Sequence, residues 1–142
     1  MENTLSIIAI VISVISFLWT WYVHNKGLER ERRQATLDAF NALQCQVLDQ
    51  LSPYTKAVVA EIAKNPRSPE YKELSKLLAR CEHFAVGVNQ GIYDLETVRR
   101  LAAEHLIVIY SNLEPLITKK RSFKNNEGRY KEFEQLVKSL KK

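Results

Sequence analysis

Two Glu–His pairs, Glu82-His83 and Glu104-His105, are the residues best suited to do chemistry in this chain of 142 residues. Carboxylates and imidazoles ligate metals and move protons near neutral pH. Pairing outward from a turn near Ile92 brings residue 82 level with about residue 103, so the two pairs would face each other across a helical hairpin. The spacing argues against a site. Adjacent Glu and His side chains point about 100° apart on a helix. The Glu-x-x-His spacing of di-iron bundles is absent. The expectation is a structural polar network. Glu82 flanks an apolar helix face, and a buried carboxylate there needs a partner, for which Arg80, Arg99 and Arg100 are at hand. An enzyme using Glu82 with His83 or His105 is the weakest functional reading. No catalytic residue, metal site or cofactor is expected.

Other chemistry is thinner still. Gly87 and Gly91 stand four apart. They fit close approach by another helix or a ligand, but a packing glycine followed by a helix C-cap is the preferred reading. Cys45 and Cys81 show neither a paired metal spacing nor a disulfide framework. No phosphate-cradling glycine loop or supported nucleophile–base arrangement occurs.

The elements that must position these residues are helices. Four glycines and four prolines are too few turn formers for a many-stranded sandwich or barrel. The expected class is all-α: one N-terminal transmembrane helix and then a bundle of about four to five helices. Residues 1–26 form the anchor and 27–142 the helical domain. Phe40, Leu43, Val47, Leu48 and Leu51 repeat at helical spacing within residues 28–51, and only Gly27 interrupts the path from the anchor. Ser52-Pro53 predicts a new helix over 53–64, and the two prolines at 66 and 69 frame a loop. A third helix, 69–90, carries Tyr71, Leu74, Leu78, Cys81, Ala85 and Val88 on one face. Asp94 caps the fourth, 95–120, in which Leu106 to Tyr110 reads as apolar all round and Pro115 as a kink. A polar loop from Ser122 to Glu127 precedes a short helix with Tyr130, Phe133, Leu136, Val137 and Leu140.

Residues 3–23 contain no charge. A helix of that length spans roughly 30 Å, the hydrocarbon thickness of a bilayer. Trp19, Trp21 and Tyr22 crowd its end, where amphipathic rings prefer the headgroup boundary, and Lys26, Arg30, Arg32 and Arg33 follow. An acidic start and bulky aromatics at the cleavage position oppose a signal peptide. The basic flank places the domain in the cytoplasm of a single-pass inner-membrane or plasma-membrane protein, with the N-terminus outside. Ser6, Ala9, Ser13, Ser16 and Thr20 are spaced 3, 4, 3, 4. Small and hydroxylated residues on one stripe suit helix packing, so a homo-oligomer is expected.

With Glu2 the one charge before Lys26, the remainder holds all 21 Lys and Arg against 15 of the 16 Asp and Glu. A modest basic excess suits anionic headgroups better than nucleic acid. From Lys119 to Lys142 there are nine Lys or Arg and three Glu, again a surface for headgroups rather than nucleic acid.

The stretch from Leu78 to Leu140 carries Glu82, Gly87, Gly91 and Asp94 within ARCEHFAVGVNQGIYD. It continues with Tyr110, Pro115, Ile117 and Arg121 within YSNLEPLITKKR, then Tyr130 and Phe133 within RYKEFEQL. It resembles a family of bacterial proteins known as domain of unknown function 4760, in which a membrane helix also precedes a small helical domain. The resemblance implies a fold and a topology but no reaction. The expected function is a membrane-tethered module for interaction or oligomerisation, with the bilayer, a second copy and an unidentified protein as partners. The alternative is an effector, in phage defence for example, that perturbs the membrane by assembling its transmembrane helices.

Overall fold

The computed structural model describes residues 2–123 and 126–142, with side chains described from Ser6 onward. Lys124 and Asn125, in the expected polar loop, lie outside the described residues, as do the side chains that open the uncharged segment. The described chain is all-helical.

A single rod dominates. Helix α1 (Glu2–Leu43) passes without a break into a π-helical segment (Gln44–Leu48) and a last turn, α2 (Asp49–Leu51). At 1.5 Å per residue the rod is about 75 Å long. Gly27 neither bends nor ends it. Nothing lies within 4 Å of where a Cβ would stand there, so local hydrogen bonding alone carries the helix through. The two halves of the rod meet different surroundings. From Ser6 to Val23 every side chain is exposed. From Thr36 onward one face is buried, through Phe40, Leu43, Val47, Leu48 and Leu51. The π segment adds a residue to one turn. Val47 and Leu48, at the end of that segment, are both buried in the core.

The rod ends at Leu51, where the apolar repeat of residues 28–51 predicts, but the next helix does not start at Pro53. Leu51 belongs to the core, and the Ser52 N–H still donates to Leu48 O at 3.0 Å. Pro53 therefore falls in a turn, and α3 (Lys56–Lys64) begins three residues further on, capped by Thr55. The loop to α4 (Pro69–Asn89) closes on Ser68, whose hydroxyl accepts from the Tyr71 N–H at 3.1 Å.

Helix α5 (Leu95–Arg121) contains its break at Ala102 (φ −153°, ψ 18°), not at Pro115, which sits inside a regular stretch. Nor is its centre buried all round. Leu106, Ile109, Leu113, Leu116 and Ile117 form one inward face, while Val108 is 55% exposed on the outside. Helix α6 (Lys131–Leu140) then packs Phe133, Leu136, Val137 and Leu140 against α4 and α5.

The order along the rod fixes the direction of the hairpin. Arg32 and Thr36 bond to Asp94, the Phe40 ring lies 6.2 Å from that of Phe84, and Gln46 accepts from Arg80. Residue numbers rise on the rod as they fall on α4. The α4–α5 turn is therefore the end of the bundle nearest the exposed apolar segment.

Candidate functional site

Three elements meet at Asp94. Its backbone N–H donates to the Thr36 hydroxyl at 2.8 Å, and that hydroxyl donates to the Arg32 carbonyl at 2.7 Å. The Arg32 guanidinium donates to Asp94 Oδ1 at 2.8 Å. The other carboxylate oxygen accepts from the Thr97 N–H at 2.9 Å and the Thr97 hydroxyl at 2.6 Å, capping α5. The Thr97 hydroxyl most of all, then the Thr97 N–H and after them Arg32, hold the Asp94 carboxyl below the ordinary aspartate range. Thr36 has 0% exposure, so its hydroxyl must find partners inside the protein, and it has two. Together these groups lock the rod to the hairpin.

Glu82 does a different job from the one its neighbours suggest. Helix α6 starts without a cap of its own, because Tyr130 stands at the cap position in the left-handed region (φ 61°) and supplies no side-chain bond. Glu82 reaches over from α4. Its two oxygens accept from the N–H groups of Glu132 at 3.2 Å and Phe133 at 2.8 Å. A carboxylate at that place also meets the positive end of the helix dipole. Asn89, two turns along α4, donates to the Glu132 carbonyl at 2.9 Å and its carboxylate at 2.8 Å. From the other side Arg121 donates to Arg129 O at 2.8 Å and to Glu134 at 2.8 Å.

The expected partners of Glu82 are engaged elsewhere. Arg80 bonds Gln46, and both Arg99 and Arg100 pair with Glu96. Backbone donors of an uncapped helix satisfy the carboxylate instead. The two Glu–His pairs are not joined. His83 is exposed beside a groove of about 550 Å³ lined also by Ala39, Ala42, Phe84 and Tyr93. Glu104 is exposed and His105 half-buried on α5. Among the described residues no hydrogen bond or ion pair links the two pairs, and no group of three or more His, Cys, Asp or Glu is placed to hold a metal ion.

The two glycines divide the work. A Cβ on Gly87 would stand 2.5 Å from the Tyr93 ring, which stacks on Phe84 with centroids 5.5 Å apart. Gly91 takes φ 74°, and its N–H donates to Val88 O at 3.0 Å, closing α4. Cys81 is buried and its thiol is pushed up to about 12 by desolvation, whereas Cys45 is exposed.

In the apolar segment the Trp19 and Tyr22 rings lie 6.4 Å apart, and Lys26 stands 5.9 Å from the Tyr22 ring. The Thr20 hydroxyl donates to Ser16 O at 2.8 Å, one turn back in its own helix. Ser6, Ala9, Ser13 and Ser16 share the stripe with it on the exposed surface. Arg30 and Arg33 are exposed, but Arg32, grouped with them by sequence, turns to Asp94.

Sequence reasoning missed Thr36 and Asn89, and reached Arg121 only as part of the family resemblance, with no role attached. Thr36 had a signal: it extends the Phe40–Leu43–Val47 repeat by one turn, so it occupies a core position. The bonds of Asn89 and Arg121 had none, because their partners lie 43 and 13 residues away.

Residues 7–140 match the family described as domain of unknown function (DUF4760), and the chain belongs to that family. No curated protein and no solved structure matches it.

Proposed function

We propose that the protein is a membrane-tethered helical module that assembles with copies of itself and presents its bundle to a protein partner at the cytoplasmic face. The observation that carries this reading is the surface of the rod. From Ile7 to Val23 large apolar side chains stand exposed on an unbroken helix, on every side of it. That helix is long and apolar enough to cross a bilayer. Lipid is the partner that covers all sides at once. The basic residues lie on the bundle side of the segment, which supports the bundle facing the cytoplasm.

The tether is tested by alkaline carbonate extraction of membranes containing the full chain; release into the supernatant would overturn it. For orientation, a cysteine at exposed Gln135 in a Cys45→Ser background should resist a membrane-impermeant maleimide on intact cells and react after permeabilisation. Self-assembly through the stripe predicts disulfide crosslinking for Ser13→Cys and Ser16→Cys and little for Ile15→Cys on the opposite side. Equal crosslinking at all three would remove the stripe from the proposal.

A second reading, an effector that perturbs the membrane, draws support from the unbroken rod, which would carry any rearrangement of the bundles into the membrane segment. Membrane depolarisation on overexpression that depends on Ser13 and Ser16 would favour it.

A further inference from the structure

The bundle is not centred on its tether. Helix α6 packs against α4 and α5, which in turn pack against the rod. Its axis therefore stands about two interhelical spacings, roughly 16–20 Å, to one side. Helix α5 descends from the membrane-facing turn, and Arg99, just over one turn into it, donates to Ser139 O at 3.1 Å. The C-terminal end of α6 thus lies at the membrane-facing end of the bundle. Lys138, Lys141 and Lys142 are exposed there, Arg99 reaches Ser139 among them, and Arg100 follows Arg99 on the first turns of α5. Glu134 and Glu96 neutralise part of this charge; Lys141 and Lys142 make no ion pair among the described residues.

We infer that this far edge of the bundle rests on anionic lipid headgroups of the membrane that the rod crosses, giving the module a second point of attachment. Distances decide how. Thr36, which bonds Asp94, lies thirteen residues beyond Val23, about 20 Å along the rod. With the rod upright, and about 5–7 Å of that length taken by the headgroups, the basic end stands about 13–15 Å above them, too far for contact and more than a Debye length of about 8–10 Å away. A tilt of about 20°, ordinary for a single membrane helix, lowers an edge 16–20 Å off axis by about 6 Å, which brings it within about a Debye length of the headgroups. Attraction and tilt then reinforce each other. Ile92, on the turn that leads toward the membrane, is 58% exposed.

This inference rests on the tether proposed above, and the test separates the two. The full chain, carrying Cys45→Ser and a fluorophore on Ser139→Cys, is placed in phosphatidylcholine nanodiscs with and without phosphatidylglycerol. Lipids bearing a headgroup quencher report contact. Phosphatidylglycerol is expected to raise quenching severalfold. Lys141→Glu with Lys142→Glu should abolish that rise, since each lysine near an anionic surface is worth about fivefold in occupancy. A label on Ile12→Cys is read with a bilayer-centre quencher. No quenching at Ile12 would sink the tether. Quenching at Ile12, with a Ser139 signal indifferent to phosphatidylglycerol or to the two lysines, would sink the second attachment alone.

Discussion

Helices α5 and α6 begin in opposite ways. The first is capped from within: Asp94 accepts from Thr97 three residues on. The second is capped from outside: Glu82, fifty residues earlier in the chain, accepts from Glu132 and Phe133. A local cap belongs to its helix and can form as soon as the helix does. A remote cap exists only after α6 has docked on α4. It therefore ties the stability of α6 to tertiary structure, and α6 is short enough to need that help.

Removing each cap should separate the two cases. Glu82→Ala has the largest expected effect, about 2–3 kcal/mol, because it strands two helix N–H groups that lost their water on docking. Hydrogen exchange of the full chain in nanodiscs should show the loss concentrated in α6, with the rod–hairpin contact retained. Uniform loss of protection across the bundle would contradict the remote-cap account. Gly87→Ala follows, at about 1–3 kcal/mol, since its Cβ meets a ring stacked against the core. Thermal melts should show the cost shrinking when Tyr93→Ala is combined with it.

Asp94→Ala should cost about 1–2 kcal/mol, a typical cap energy together with the tie to Arg32. Its exchange signature should appear at the start of α5 and along residues 32–40 of the rod. The same carboxylate makes the local cap pH-sensitive. Its folded-state pKa is lowered, so its contribution is fully present above the unfolded aspartate value of about 3.9 and is lost as pH falls through the folded value. A pH titration of stability should flatten in that acidic range for Asp94→Asn. The smallest effect belongs to Gly27→Ala. It should stabilise the rod by up to about 1 kcal/mol through helix propensity, with open space around the new methyl group.

The same contrast explains what the sequence could reveal. Asp94 and Thr97 lie within one turn of each other, so their bond is legible as a cap. The misfit of Glu82 on an apolar face was equally visible, but its partner was not: no pattern in residues 78–88 refers to the start of α6. The core faces of α4 and α6 were legible because burial on one side of a helix leaves a 3–4 repeat. The break at Ala102 was not, because nothing in its neighbours differs from ordinary helix, whereas Pro115 advertises a kink that the backbone does not make there. Outward-facing Val108 shows a further limit. An apolar run gives composition, and only the packing decides which side faces in.

The unbroken rod has a consequence in angle as well as in length. A continuous helix fixes the azimuth of every residue on it relative to every other. From Ser16 to Thr36 is about five and a half turns, and from Ser13 to Phe40 about seven and a half. The hydroxyl stripe therefore points away from the side on which the bundle hangs. Under the proposed assembly, two copies joined along that stripe would carry their bundles on the outside of the pair, each basic edge over its own patch of membrane. One residue inserted between His24 and Glu31 would swing each bundle by about 100° around the joined rods.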